Sequence, residues 1–143
     1  MNELMTLKGK SIEEWEKLML PLVQIPVTFT HTFAPGIYIR GATFPKDSVA
    51  IGHEHMFEHA SVLMSGKMII INEGIETEVS APLVFMSVGG RKIIRVLEEV
   101  TMINIHPNPT NERDIDKLEQ MFIVKSEQWQ QHHKGELPWY GQQ

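Results

Sequence analysis

The sequence predicts an all-β protein, a sandwich or barrel with one helix on either side of the strands. Short runs of β-branched and aromatic residues fill positions 23 to 106 and alternate with turn residues, and no helical pattern interrupts them. The chain has 143 residues, of which 42% are hydrophobic, so a single domain can bury a core without disulfide bonds. We expect an N-terminal helical segment (1–22), a β-barrel (23–109) and a C-terminal helix with an aromatic tail (110–143).

Composition excludes several classes of function. Seven histidines and no cysteine exclude disulfides and thiolate sites, so a bound metal would have histidine, carboxylate or water ligands. A formal net charge of -5 argues against nucleic acid as a partner, because phosphate-binding proteins usually carry a basic surface. Residues 1–20 lack a continuous apolar run, so neither a signal peptide nor a membrane span is expected. The expectation is a cytoplasmic protein with no membrane partner.

The first helix is predicted from Ile12 to Leu20. Ser11 and Glu14 have the spacing of a capping box, in which both side chains bond the first free amides of a helix, and Pro21 ends it. Its apolar stripe, expected to pack as a lid on the main body, comprises Ile12, Trp15, Leu18 and Met19.

Ten strands are predicted in the β region, separated by turn residues such as Ala34-Pro35-Gly36, Ser65-Gly66 and Gly89-Gly90. They are Val27–Phe33, Ile37–Phe44, Ser48–Ile51, His53–Phe57, Ala60–Met64, Lys67–Asn72, Ile75–Val79, Leu83–Met86, Lys92–Glu98 and Thr101–His106.

A second helix is expected after Pro107-Asn108-Pro109, capped by Thr110 or Asn111 and running to about Val124. We expect it to lie against the barrel exterior or a partner subunit. Its apolar side comprises Ile115, Leu118, Met121 and Phe122. The tail from Ser126 to Gln143 contains Trp129, Trp139 and Tyr140, which predicts that it docks on the body or on a second chain.

The segment from Gly52 to His59 carries three histidines within seven residues. On an extended strand, the side chains of His53 and His55 point to the same face about 6 to 7 Å apart and can coordinate one ion together. His59 would return to them across a short turn. Three neutral imidazoles clustered in this way indicate a divalent-metal site.

This spacing resembles the first motif of the cupin superfamily, in which two histidines one residue apart precede an acidic ligand and then a glycine. His53, His55 and Gly66 fall in register, and His59 stands at the acidic position. In the second motif only Gly89 is retained, and Lys92 occupies the position of the fourth ligand. The resemblance covers residues 35 to 106.

The resemblance implies a cupin-type double-stranded β-helix, or jelly-roll barrel. It implies that a divalent ion (Fe, Mn, Ni or Zn) binds through His53, His55 and His59, beside a small molecule, and that the protein forms a homodimer. The run from His59 to Gly66, with Ile105-His106-Pro107, also resembles small cupin-like proteins of bacteriophages. Neither likeness selects a reaction among the dioxygenase, isomerase, lyase and decarboxylase chemistries of cupins.

Two other interpretations of the histidines remain open. His55 and His59 on a helix could bind zinc as an i, i+4 pair, although Met56 stands where the zincin signature has glutamate. Alternatively, the three histidines are ordinary polar residues on a solvated strand. In functional terms, a non-catalytic cupin that sequesters a ligand or binds a partner protein, for example as a phage accessory protein, competes with the metal enzyme.

Four further residues are candidates for ligand binding, and three of them have a structural alternative. Lys92 would hold an anionic group or titrate as an acid or base, or would reach solvent instead. Glu58 would orient an imidazole, or would be an exposed charge. His106 would reach the site from the last strand, or would only end that strand. Arg40 is predicted to line the pocket.

Overall fold

The architecture was analysed in a computed structural model, which describes residues 10–134. Three helices and nine strands follow one another along this part of the chain. They are α1 (Ile12–Met19), β1 (Thr28–Ala34), β2 (Ile37–Phe44), β3 (Val49–Ile51), β4 (Glu54–His55), β5 (His59–Asn72), β6 (Ile75–Ser80), β7 (Leu83–Ser87), β8 (Ile93–Pro107), α2 (Ile115–Phe122), β9 (Ile123–Val124) and α3 (Glu127–His132).

Two long strands, β5 and β8, pair with each other and belong to both halves of one continuous sheet. In the first half-sheet the strand order is β1-β2-β8-β5-β7. In the second half-sheet the order is β3-β8-β5-β6. All of these pairings are antiparallel, so the predicted all-β architecture is confirmed.

Gly66 lies where β5 passes from one half-sheet to the other. The register of β5 against β8 shifts three times between Leu63 and Met68, which is the signature of β-bulges. Gly66 has a φ of +92°, and a side chain there would run into the carbonyl oxygen of Glu99. The sequence analysis was therefore wrong to end a strand at Ser65-Gly66, because the glycine bends the strand without ending it. The two strands predicted between Lys92 and His106 are likewise one strand, β8, which pairs with β5 on both sides of the bulges.

The main core lies between the two half-sheets. It is formed by inward side chains that are at least nine-tenths buried: Leu63, Met68, Ile94, Val96 and Val100. Helix α1 covers the outer face of the second half-sheet, where Trp15 packs against Ile71 and Ile93. The predicted capping box at Ser11 and Glu14 is present, which confirms the start of this helix.

Helix α2 begins later than predicted, at Ile115. Asp114 is its N-cap and accepts bonds from the amides of Asp116 and Lys117. The residues before it form a loop, in which Asn108 holds Glu112 through two hydrogen bonds. The helix was expected against the barrel exterior or a partner subunit. In the structure, its residues Leu118 and Phe122 pack on Tyr38, at the open end of the inner sheet face.

Helix α3 joins the rest of the protein through Glu16 of α1, which is 4% exposed. Its carboxylate accepts hydrogen bonds from Arg91, Ser126 and Gln128, at 2.8, 2.7 and 3.2 Å for the shortest bond of each. The predicted aromatic tail is thus docked as far as α3, whereas Trp139 and Tyr140 lie outside the described residues. Between residues 10 and 134, no helix is long and apolar enough to cross a membrane.

Candidate functional site

His55, His59 and His106 lie together at one end of the barrel, and we refer to them as the mouth histidines. The ring centroids of His55 and His59 are 4.9 Å apart, those of His59 and His106 are 4.7 Å apart, and those of His55 and His106 are 6.5 Å apart. Each ring comes from a different strand: β4, β5 and β8. The structure therefore brings together two of the three predicted metal ligands and His106.

Strand pairing places His59 beside His106. In the antiparallel register of β5 and β8, Ala60 lies opposite Ile105. The next residue toward the barrel end is His59 on β5 and His106 on β8, and both are 5% exposed. Opposite residues of an antiparallel pair point to the same face, so both imidazoles lie on the inner side. Ser61 and Leu63 follow His59 on that side, as the sequence alternation predicted, and both are fully buried.

His55 is held in place by backbone hydrogen bonds. Its amide donates to Gly90 at 3.0 Å, and its carbonyl accepts from the amide of Gly90 at 2.8 Å. Gly89 packs so closely that a Cβ there would lie 3.2 Å from the carbonyl oxygen of His55. On its other side, His55 pairs with Ile123 of β9. The retained glycine of the second cupin motif thus lies against a mouth histidine.

Aromatic rings enclose the mouth histidines. Phe122 of α2 stacks on His106 with a centroid separation of 4.3 Å, and Tyr38 lies 5.9 Å from the same ring. The Tyr38 hydroxyl is 2.8 Å from Nδ1 of His31, and burial raises the pKa of Tyr38 to about 12. Together, the rings of Phe122 and Tyr38 exclude water from one side of the mouth histidines.

The mouth histidines are neutral at neutral pH. Burial, followed by the charges of neighbouring groups, lowers the pKa of His55 to about 4 and that of His106 to about 3. Burial also lowers the pKa of His59, although a hydrogen bond to the carbonyl of Phe57 acts in the opposite direction. Neutral imidazoles keep a lone pair free, which is the form that binds metals.

His53 does not join the mouth histidines. Strand β4 begins only at Glu54, so the alternation that should align His53 with His55 does not apply. The ring of His53 makes an edge contact with Trp129, at 5.1 Å between centroids. Its Nδ1 is buried without a hydrogen-bond partner among residues 10–134. Burial lowers the pKa of His53 to about 3, so this ring is also neutral.

The three other predicted ligand-binding residues, Lys92, Arg40 and Glu58, differ in their burial and contacts. Lys92 is partly buried, and its carbonyl accepts a hydrogen bond from the amide of Gly52 at 3.1 Å, so its backbone lies beside the segment that leads into β4. Its charge lowers the pKa values of His55 and His59. Burial lowers the pKa of Lys92 itself. Arg40 lies on the inner face and forms a long ion pair with the buried Glu119, at 3.7 Å. Glu58 is exposed, so its carboxylate lies toward solvent.

Sequence analysis missed a buried polar group beside His59. Ser61 donates a hydrogen bond to Asn104 at 2.7 Å, and its hydroxyl is also 2.7 Å from that of Ser87. Asn104 has the same strand parity as His106, which is the signal that could have placed it on the inner face. Phe122 was predicted as part of an apolar helix side, but its contact with His106 depends on long-range packing.

The imidazoles of the mouth histidines are of a type that binds metal ions, but their present orientations do not form a metal site. Neutral imidazoles are common ligands of Fe, Mn, Ni and Zn. Within residues 10–134, however, no group of three His, Cys, Asp or Glu side chains is placed so that it could hold an ion. Of the predicted set of His53, His55 and His59, the ring of His53 contacts Trp129, whereas the rings of His55 and His59 lie together.

Solved structures resemble this chain in fold. KdgF from Halomonas sp. is 14% identical, with a TM-score of 0.51 over 67% of this chain and 89% of that chain. A cupin superfamily protein from Desulfitobacterium hafniense is 13% identical, with a TM-score of 0.49 over 62% and 86% of the two chains. The cupin domain of Cnp3 from Schizosaccharomyces pombe is 16% identical, with a TM-score of 0.49 over 71% and 77%. The chain has a cupin fold.

Two glycines of the cupin motifs have structural roles here, because Gly66 bends β5 and Gly89 packs on His55. The position that the resemblance assigns to a fourth ligand is occupied by Lys92, and His106 lies beyond the second motif. At these identities the likeness extends to the cupin fold alone. The sequence matches no protein-family model and no curated protein.

Proposed function

We propose that this cupin-fold protein binds a divalent metal ion at the barrel mouth through His55, His59 and His106. The observation that carries the proposal is the convergence of three neutral imidazoles from three strands, with ring centroids 4.7 to 6.5 Å apart. Two imidazoles that share one ion at a metal–nitrogen distance of about 2.1 Å have centroids about 5 Å apart. Rotation of the imidazoles about their side-chain torsions would aim the nitrogens at one point.

Such a site leaves coordination positions open, so the metal would supply a Lewis acid to a small molecule bound beside it. Lys92 would hold an anionic group of that molecule, since it is a partly buried cation whose backbone lies beside the segment that leads to His55. Phe122 and Tyr38 would exclude water from the far side. We assign no reaction, because one fold supports many.

Metal content after loading tests the proposal. The protein would be incubated separately with Fe(II), Mn(II), Ni(II) and Zn(II), dialysed, and analysed by inductively coupled plasma mass spectrometry. His59→Ala and His106→Ala should each lose the metal that the wild type retains. His53→Ala is the matched control and should retain it. Circular dichroism would establish that each variant is folded.

Loss of metal in His53→Ala together with retention in His106→Ala would overturn this ligand set in favour of the motif histidines. A folded wild-type protein that takes up none of the four metals would overturn metal binding altogether.

The second candidate is a non-catalytic cupin that binds a small molecule or a partner protein. It is favoured by the absence, among the described residues, of three side chains placed to hold an ion. A cavity of about 430 Å³ next to β9 offers a separate place for a ligand, lined by Glu119, Lys125, Trp129 and His133, among others. This candidate predicts that binding survives substitution of His59 and His106.

A further inference from the structure

The cavity beside β9 is bounded by α2, β9 and α3, and we refer to it as the C-terminal cavity. Its volume of about 430 Å³ lies within the range of small-molecule sites. Its lining includes the carboxylates of Asp116 and Glu119, the ammonium of Lys125 and the indole of Trp129. The mouth histidines are not among its lining residues, so the two places are separate.

Glu119 is a buried carboxylate that makes no hydrogen bond through its side chain within the described part of the chain. The side chain is 4% exposed, and neither oxygen has a hydrogen-bond partner among residues 10–134. Lys125 and Arg40 form ion pairs with it at 3.1 and 3.7 Å, but neither contact has the geometry of a hydrogen bond. An ionised carboxylate can accept several hydrogen bonds, and the desolvation of a buried ion pair is offset only when such bonds are made. Glu119 therefore lacks donors that a bound molecule can supply.

Lys125 shows how a cation is held in the C-terminal cavity. Its Nζ lies 3.1 Å from Oε1 of Glu119 and 4.9 Å from the centroid of the Trp129 ring, so a carboxylate and an aromatic ring contact one ammonium. The side chain of Lys125 is 26% exposed, against 16% for Arg40. A lysine stem is flexible and can carry its ammonium out to solvent. Lys125 is therefore the neighbour of Glu119 that an incoming cation can displace.

We propose that the C-terminal cavity binds a small primary amine in its ammonium form, which takes the position of the Lys125 ammonium between Glu119 and Trp129. A primary ammonium carries three N–H donors, so it can bond the oxygens of Glu119. The apolar part of the amine lies against Ile123 and Trp129, which line the same cavity. The inference assigns a ligand class to the cavity that the second candidate function uses, and it does not rest on the metal proposal.

Charge favours a cation over an anion as the ligand. The lining contains two carboxylates, those of Asp116 and Glu119, against the single ammonium of Lys125. An anion would have to bind Lys125 while both carboxylates remain beside it, and repulsion between like charges opposes this. Once Lys125 turns toward solvent, an ammonium meets two carboxylates. Residues 135–143, which follow α3 in the sequence, contain no lysine or arginine and cannot supply this cation themselves.

Isothermal titration calorimetry of the full-length chain at neutral pH tests the proposal with 2-phenylethylamine as the probe. 2-Phenylethanol and 3-phenylpropionate serve as neutral and anionic probes of similar size. Wild type should bind the amine at one site per chain, at least about tenfold more tightly than either of the other probes. Absence of amine binding, equal affinity for the alcohol, or tighter binding of the carboxylate would each overturn the proposal.

Substitutions of Lys125 and Glu119 should change the affinity for the amine in opposite directions. Lys125→Met removes the resident ammonium, so the amine should bind at least about tenfold more tightly. Glu119→Gln removes the charge that holds the cation, so the amine should bind at least about tenfold more weakly. The matched control is Glu127→Gln, an exposed carboxylate of α3 outside the lining, which should bind the amine like wild type.

Circular dichroism would establish that each variant is folded. Wild-type affinity in folded Glu119→Gln would overturn the proposal. If Glu119→Gln does not fold, Lys125→Met decides, since unchanged affinity in that variant would equally overturn the site. His59→Ala/His106→Ala separates this inference from the metal proposal, because it should lose metal and still bind the amine like wild type. Loss of amine binding in this mouth variant would place the ligand at the mouth and overturn the assignment to the C-terminal cavity.

Discussion

The ring of Phe122 lies nearly parallel to the ring of His106, with centroids 4.3 Å apart and planes 21° apart. One residue after Phe122, the chain pairs with His55 through β9, and the carbonyl of Phe122 accepts from the amide of Met56 at 2.9 Å. The C-terminal segment therefore fixes the surroundings of two mouth histidines at once. Access to these histidines depends on how firmly α2 is packed.

Truncation of Phe122 should loosen that packing. Phe122 is 8% exposed, and Phe122→Ala should lower the free energy of unfolding by about 3 kcal/mol, because it removes a buried ring and leaves a cavity. Urea denaturation measures the change. The neighbouring Met121 is 37% exposed, so Met121→Ala should cost much less. Equal losses in the two variants would mean that Phe122 is not a core residue of the mouth.

Stability of the metal-free protein should fall as the pH is lowered from about 6.5. The unfolded chain has ordinary histidines, whereas burial lowers the pKa of His106 to about 3 in the folded protein. Between these two values the unfolded state binds more protons, so acidification favours unfolding. His106 alone should contribute roughly 1 to 2 kcal/mol of loss between pH 6.5 and pH 5.

Urea titrations in the presence of a chelator at several pH values from 5 to 7 would measure this dependence. His106→Gln cannot titrate and should show a shallower slope. Glu16 does not interfere, because its pKa is lowered from 4.5 and its stabilisation is lost only below that pH. An unchanged slope in His106→Gln would mean that this imidazole is not kept neutral by the fold.

A side chain at Gly66 should be poorly tolerated. Gly66→Ala combines a backbone at φ +92° with a collision against the carbonyl of Glu99. Gly74 is the matched control, since its φ is +80° but nothing lies within 4 Å of an added Cβ. We expect Gly74→Ala to cost about 1 kcal/mol from the backbone alone. Gly66→Ala should cost about 1 to 3 kcal/mol more, from crowding. Thermal or urea unfolding would show whether the two costs differ.

Loss of the charge on Glu16 should release α3. In Glu16→Gln, the partly buried guanidinium of Arg91 loses its carboxylate partner, which we expect to lower the free energy of unfolding by about 2 to 3 kcal/mol. Hydrogen exchange should then be faster in the backbone of α3. Glu13 is exposed on the same helix, so Glu13→Gln should change the stability by no more than about 0.5 kcal/mol. Undiminished protection of α3 in Glu16→Gln would contradict this role for Glu16.

Short-range sequence patterns predicted the parts of the fold that depend only on interactions between neighbouring residues. The capping box at Ser11 and the alternation of His59, Ser61 and Leu63 are visible over a few residues, and both are present. Ser65-Gly66 was misjudged because a turn and a bulge both use a glycine with positive φ. Only pairing with β8, more than thirty residues away, distinguishes them.

The composition of the site depended on contacts that the sequence does not reveal. Whether His53 or His55 faces the mouth depends on where β4 begins, and β9 pairs with that strand from almost seventy residues away. His106 reaches the cluster because the register of β5 against β8 places it beside His59. The histidine-rich segment thus predicted at which end of the barrel the candidate site lies, but not which residues form it.

Because β5 and β8 each run through both half-sheets, the barrel has no seam along which one layer could separate from the other. Strands β2, β3, β6 and β7 pair directly with this shared pair, and β1 joins it through β2. The mouth histidines are divided between the shared pair and a shorter strand. His59 and His106 belong to the shared pair, whereas His55 lies on the two-residue strand β4, which pairs with β9. A displacement of β9 would therefore change the position of His55 relative to two histidines whose backbones belong to one continuous strand pair.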